Sequence, residues 1–369
     1  MLRVSVVLPA LVAGVFLHGC AFAPGQYLDT AQFAGEQSPE NARVELVSIT
    51  PKLLAIQEAG RKADQVPRAL LDYSPDSYRI GSNDVLHITV WDHPEMTAPS
   101  GPQQTLEANG RVVRPDGSLF YPYIGEIKAA GLTIEELRAT IARQLTKVVT
   151  KPQVDVAVIK YASRKVVLSG AFNDTTQQPI TSVPLTLLEA VGKAGVKTLD
   201  ADLSSLILKR DGREYRLDLD ALNRNGANLD GIKLKDGDQI HLAYNDRRRV
   251  YVMGEVGQPR ALPFKTRDLN LSDVIGSVGG LRQETADGKA IYVIRGVEDL
   301  ERDTAKVFQL DAKSPVAFVL AERFMLQPQD VVFVGPAGIT RWNRFISQLL
   351  PSATLLRTGV GIENDIRVR

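Results

Sequence analysis

The chain repeats itself, and that repeat limits its fold more than any other feature. Arg164 to Phe172, RKVVLSGAF, lies over Arg248 to Val256, RRVYVMGEV, at an offset of 84 residues, which puts Gly170 on Gly254. The match runs on without a gap. Pro179 meets Pro263, Leu185 meets Leu269, Gly192 meets Gly276 and Gly195 meets Gly279. Farther along, LKDGDQIHL (Leu234 to Leu242) meets LQPQDVVFV (Leu326 to Val334) at an offset of 92, with Asp238 over Asp330, so the second copy is longer by eight residues. Such a period means one supersecondary unit built twice. Its strand-turn-helix grammar predicts a small β-grasp-like module, in which glycines at fixed offsets mark positive-φ turns and close backbone approach rather than chemistry.

Ahead of the repeats, the stretch from Tyr78 changes character. YRIGSNDVLHITVW leads through a turn at Gly81-Ser82-Asn83-Asp84 into a β-branched alternating strand. RVVRPDGSLFYPYIGEIKAAG then carries a turn at Pro115-Asp116-Gly117 between strand runs. LTIEELRATIARQL has helical spacing, with Thr133 as N-cap and Glu136 closing a capping box, and PQVDVAVIKY alternates again. The order strand, strand, helix, strand is an α+β unit. Asp84 stands in IGSNDVLHITV where Asp238 stands in LKDGDQIHL. All three aspartates, Asp330 included, read as turn formers that bond their own backbone, not as catalytic acids.

At the N-terminus, Arg3 precedes an apolar run from Val4 to Leu17, too short for a membrane span and suited to a secretory signal. Leu17-His18-Gly19-Cys20 resembles the lipobox of bacterial lipoproteins, in which the cysteine becomes the lipidated N-terminus. Cys20 is the single cysteine of the chain, so no internal disulfide can form, and acylation accounts for its isolation. Ala21 follows it, without the aspartate that in such lipoproteins goes with inner-membrane retention, which implies the outer membrane. From Ala21 to about Asp72 the chain reads as an extended lead rich in Pro, Gln, Ser and Ala, with one helix candidate around Pro51 to Ala63.

At the other end, Thr340 to Arg357, TRWNRFISQLLPSATLLR, places Trp342, Phe345, Ile346, Leu349, Ala353 and Leu356 on one helical stripe and Arg344, Ser347 and Gln348 on the opposite face. At 1.5 Å per residue the segment would reach about 27 Å, close to the ~30 Å hydrocarbon core, but its polar face is unsuited to lipid. A ring of copies resolves the conflict, with apolar stripes toward lipid and polar faces toward a wet lumen. Docking of the stripe on the protein's own surface is the alternative, and Pro351 favours it by shortening the helix.

Several chemistries are excluded. A net charge of +1 leaves no electrostatic footprint for nucleic acid. The four histidines, His18, His87, His93 and His241, form no metal-ligand spacing. There is no G-x-S-x-G, P-loop or dinucleotide fingerprint, and Asp and Glu pairs sit at turns. No catalytic residue, cofactor or metal is expected, and the chain does not read as an enzyme.

With its lipobox, the IGSNDVLHITVW and PDGSLFYPYIGEI segments, the two glycine-marked repeats and the terminal RWNRFISQLLPS, the chain resembles the outer-membrane polysaccharide export lipoproteins of Gram-negative bacteria. That resemblance implies an α+β chain: signal peptide 1–19, lipidated lead 20–72, polysaccharide-export α/β domain 73–163, β-grasp SLBB-like repeats 164–246 and 247–338, amphipathic membrane helix 339–358, and a surface-exposed polar tail 359–369. It further implies a homo-oligomer, an octamer in the best-known branch, whose C-terminal helices form an α-helical barrel through the outer membrane. The implied partners are a polysaccharide substrate, outer-membrane lipid and an inner-membrane polysaccharide co-polymerase of the tyrosine-kinase type. By the same resemblance, Tyr121 and Tyr123 stand at the periplasmic entrance, while packed structural tyrosines are the alternative. A monomeric periplasmic lipoprotein that binds glycan or a partner through its repeats is the competing function.

Overall fold

A computed structural model describes residues 44–60, 65–97, 109–226, 229–296 and 305–336. The chain divides into two compact units, one formed by the polysaccharide-export-like region with the first repeat and the other by the N-terminal segment with the second repeat.

The first described elements are strand β1 (Val44–Ser48) and helix α1 (Pro51–Ala59), which starts under a Thr50 cap that accepts the Leu53 N–H, with proline in its first turn. Helix α2 (Arg68–Leu71) follows and buries Leu70. In the α+β region, strand β2 (Val85–Val90) buries every second side chain, and helix α3 (Pro94–Thr97) closes its end. Strands β3 (Arg111–Val112), β4 (Ser118–Tyr121) and β5 (Gly125–Lys128) come next, then helix α4 (Ile134–Leu145) and strand β6 (Val154–Lys160). β2 lies between β3 and β6 with both pairings antiparallel, while β4 and β5 form a separate hairpin. The capping box is present at the start of α4: the Thr133 hydroxyl accepts the Glu136 N–H, and the Glu136 carboxylate accepts the Thr133 N–H at 2.8 Å. The core beneath joins Leu86, Ile88 and Val90 of β2 to Leu137, Ile141 and Leu145 of α4, spaced one helical turn apart on the inward face.

The first repeat contains β7 (Lys165–Gly170), β8 (Gln178–Pro179), helix α5 (Leu187–Ala194), β9 (Ala201–Arg210), β10 (Arg213–Leu217), helix α6 (Leu219–Arg224) and β11 (Gln239–Tyr244). Its sheet runs β10-β9-β11-β7-β8, with β11 and β7 parallel at the centre. Leu70 of α2 joins this core.

The second repeat contains β12 (Arg249–Gly254), β13 (Arg260–Pro263), helix α7 (Leu271–Ser277), β14 (Ala286–Arg295), β15 (Ala305–Leu310), helix α8 (Ala317–Arg323) and β16 (Val331–Pro336). The sheet order is β1-β15-β14-β16-β12-β13. Removing β1 leaves the strand order of the first repeat, so the two modules share one topology.

β1 is a correction to the sequence reading, which took residues 20–72 as an extended lead. Val44 to Ser48 pair in parallel with Ala305 to Gln309, and α1 packs near α8. The segment covers what is otherwise an open strand edge, a position where unpaired N–H and C=O groups invite association.

The repeat glycines divide into two kinds. Gly170 and Gly254 have φ of +88° and +89°, and a Cβ at either would fall 2.0 Å from a carbonyl oxygen, that of Leu242 or Val334. These positions require glycine on both counts. Gly192 and Gly276 were expected to mark similar turns, but they lie within α5 and α7 with open space beside them.

Candidate functional site

Each repeat is closed by the same buried ion pair. In the first, Arg210 donates through Nε to Asp238 Oδ1 at 3.0 Å and through Nη2 to Oδ2 at 2.6 Å, and Nη2 also reaches the Lys233 carbonyl at 2.7 Å. In the second, Arg295 donates to Asp330 at 3.0 and 2.8 Å and to the Met325 carbonyl at 3.3 Å. The bidentate fork is the geometry that best repays taking both charges out of water. Aromatic rings cover the guanidinium groups: Tyr73 lies 4.9 Å from Arg210, and Phe308 lies 4.9 Å from Arg295. Burial pushes the Asp330 carboxyl above its usual pKa, against the pull of Arg295.

The aspartates are turn formers as well. Asp84, Asp238 and Asp330 each accept the N–H three residues earlier, from Gly81 at 2.9 Å, Lys235 at 2.8 Å and Gln327 at 2.7 Å. What sequence reading missed is their second partner, because Arg210 and Arg295 stand 28 and 35 residues away in the chain. Asp84 has no arginine but takes the Tyr78 hydroxyl at 2.5 Å and the Ala162 and Ser163 N–H groups at 2.9 Å each. With both oxygens of each carboxylate accepting bonds from the fold, the three acids are arranged for rigidity and not for proton transfer.

The two tyrosines proposed for an entrance part company. Tyr121 is fully buried in the first-domain core, donates its hydroxyl to the Met96 carbonyl at 3.3 Å and lies under the Arg111 guanidinium. Burial pushes its phenol up to about 12. As the inward residue of β4 it cannot line an entrance, which corrects that assignment. Tyr123 is 64 % exposed at the β4–β5 turn with φ of +66°. Phe120, outward on the same hairpin, is also exposed.

Another exposed aromatic lies just past the end of β2. Trp91 is 63 % exposed and is followed by Asp92, a non-glycine residue held at φ +66°. The neighbouring loop is pinned: Thr97 Oγ1 accepts the Val90 N–H at 2.8 Å, the His93 N–H reaches the Val90 carbonyl at 3.2 Å, and His93 Nδ1 lies 3.0 Å from Glu95. Among the described residues there is no group of three His, Cys, Asp or Glu side chains that could hold a metal ion.

Cys20, the stripe of Trp342, Phe345, Ile346, Leu349, Ala353 and Leu356, and the lumen candidates Arg344, Ser347 and Gln348 lie outside the described residues. Among the described residues, no helix is long and apolar enough to cross a membrane.

Comparison with known proteins follows this division of the chain. Residues 72–159 match the family model described as polysaccharide biosynthesis/export protein. Residues 164–242 and 248–334 each match the SLBB domain, and residues 337–366 match the outer-membrane lipoprotein Wza C-terminal domain. The chain is 37% identical to the EPS I polysaccharide export outer membrane protein EpsA of Ralstonia nicotianae, over 95% of this chain and 94% of that one. It is 24% identical to the capsule polysaccharide export outer membrane protein CtrA of Neisseria meningitidis over 96% of both chains, and 24% identical to the capsule polysaccharide export protein BexD of Haemophilus influenzae over 72% of this chain and 73% of the other. The chain therefore belongs to the family of polysaccharide export outer membrane proteins, which are transport components and not enzymes.

Proposed function

We propose that this protein exports a capsular polysaccharide or exopolysaccharide through the outer membrane, as a homo-oligomeric ring anchored by lipid at Cys20 and spanning the bilayer with residues 339–358. The observation that carries the reading is that the Wza C-terminal match, 337–366, begins directly after the second repeat and contains the amphipathic stripe. The relatives' printed names supply the cargo class and the membrane. The physics supplies the ring: a helix with Trp342, Phe345, Ile346, Leu349, Ala353 and Leu356 on one side and Arg344, Ser347 and Gln348 on the other is stable in a bilayer only beside copies of itself.

In this mechanism no covalent step occurs. A wide, hydrated lumen lets the polymer pass by many weak contacts, and the driving force comes from a polysaccharide co-polymerase in the inner membrane. The rigid clamps Arg210–Asp238 and Arg295–Asp330 suit modules that hold fixed positions in a ring.

The test is a strain whose chromosomal copy is replaced by a chain ending at residue 336. The truncated protein is expected to accumulate, folded and lipid-labelled, while surface polysaccharide is lost. Normal surface polysaccharide would contradict the pore and favour a monomeric binding lipoprotein. Cys20→Ser should abolish acyl labelling, and persistent labelling would remove Cys20 as the anchor.

A further inference from the structure

On the outer face of the first-domain sheet, four side chains form a square that has the chemistry of a sugar platform. β2 and β6 pair antiparallel with Thr89 opposite Asp155, and the Trp91 N–H donates to the Gln153 carbonyl at 3.0 Å, which extends the same register by two residues. Because alternate residues of a strand share a face, Thr89 and Trp91 lie beside Asp155 and Gln153. Directly opposite pairs have Cβ atoms about 5 Å apart and diagonal pairs about 7–8 Å, a patch the size of one pyranose ring. Trp91, Gln153 and Asp155 are all exposed, whereas the inward neighbours Val90 and Val156 are buried.

The tryptophan is held out deliberately. A tryptophan is usually largely buried, so a 63 % exposed one on an ordered strand end calls for a reason. Its position is fixed by the β6 ladder on one side and by the Thr97 hydroxyl, bonded to both the N–H and the carbonyl of Val90, on the other. Met96 anchors the following turn in the core, and the left-handed Asp92 turns the chain sharply after the indole. Preorganisation of this kind lowers the ordering cost of a weak contact.

We infer that this face, Trp91 with Thr89, Gln153 and Asp155, is a binding subsite for an uncharged or amino-bearing sugar residue of the exported polymer. The indole face carries negative potential and attracts the polarised C–H groups on the flat side of a pyranose. Asp155 and Gln153 then accept and donate hydrogen bonds at the ring's hydroxyl edge. Asp92, the next residue after the indole, is exposed and adds negative charge there. The carboxylates of Asp155 and Asp92 repel uronic or sialic acid units, so the subsite discriminates by charge. The inference rests on the export reading and names a point of contact for its cargo.

The full-length protein carries two tryptophans, Trp91 and Trp342, so incorporation of 5-fluorotryptophan gives two fluorine resonances that Trp91→Phe assigns. Titration with maltoheptaose or chitosan oligomers is expected to shift the Trp91 resonance, with half-saturation at about millimolar sugar, and to leave Trp342 in place. Asp155→Ala should weaken the response several-fold, and oligogalacturonate should produce about a tenfold weaker one. A Trp91 resonance that ignores every neutral and amino-bearing oligosaccharide overturns the subsite. So does one that shifts with protein concentration alone, because a second copy then covers the face. If Trp91 is silent but cells still display polysaccharide, the subsite fails and the export reading stands; loss of both points at export itself.

Discussion

Arg210 holds Asp238 by two parallel hydrogen bonds at the base of the first repeat, with the side chains 6% and 1% exposed, and the arginine also ties down the Lys233 carbonyl. Arg295 and Asp330 reproduce this arrangement in the second repeat. Asp238→Ala should destabilise its unit by about 3–5 kcal/mol, because it strands a guanidinium away from water. The paired change Arg210→Met with Asp238→Leu should recover most of that loss. Urea unfolding of the two variants checks it; equal losses in the single and double variants would mean the pair contributes only packing.

Gly170 and Gly254 give a matched experiment on the duplication. Alanine at either adds a Cβ 2.0 Å from a carbonyl oxygen and at positive φ, so each should cost about 2 kcal/mol or more. Hydrogen exchange followed by mass spectrometry should show the loss confined to the unit that carries the substitution. Gly192→Ala, in a helix with open space beside it, should instead be neutral or slightly stabilising.

The N-terminal strand supports the second repeat. Val47→Pro removes a ladder donor from β1, since the Ile49 N–H bonds the Gln309 carbonyl and alternate residues of β1 face β15, and it should free the β15 edge, raising exchange at residues 305–310 while residues 165–170 stay protected. Unchanged exchange along β15 would show that β1 is dispensable there.

Acid should loosen the first repeat through its helix cap. The Thr186 N–H and hydroxyl bond the Glu189 carboxylate at 2.9 and 3.1 Å and hold its pKa below the ordinary 4.5. The folded state binds that proton more weakly than the unfolded chain, so the stabilisation is present above the ordinary value and is lost as pH falls through the depressed one. Glu189→Gln should therefore flatten the acid limb of the stability curve, with little change near neutrality. An unaltered acid limb would assign the effect to other carboxylates.

How much of this was visible in the chain depended on sequence distance. The duplication, the Thr133–Glu136 box and the Asp84, Asp238 and Asp330 turns are local patterns, fixed by spacings of three to seven residues or by self-comparison, and the structure has them. The parallel pairing of β1 with β15 is not local: about 260 residues separate the strands, and VELVS carries no mark of its partner. Arg210 and Arg295 likewise stand 28 and 35 residues from their aspartates, with no local mark of the pairing. Tyr121 and Tyr123 shared one expectation but not one fate. β4 alternation sends Tyr121 inward, while the turn carries Tyr123 out, a difference readable once the strand end is known. For the candidate site, composition pointed away from enzymes, but the Trp91 face needed the β2–β6 register before Gln153 and Asp155 could be set beside the indole.

Imaging of the detergent-extracted, full-length lipoprotein by electron microscopy, with subunits counted in each particle, tests the central claim most directly. Closed rings of a single subunit number, eight by resemblance to the family's best-known branch, with residues 339–358 inside the detergent belt, are the expected result. Solitary particles whose final segment lies outside the belt would contradict it.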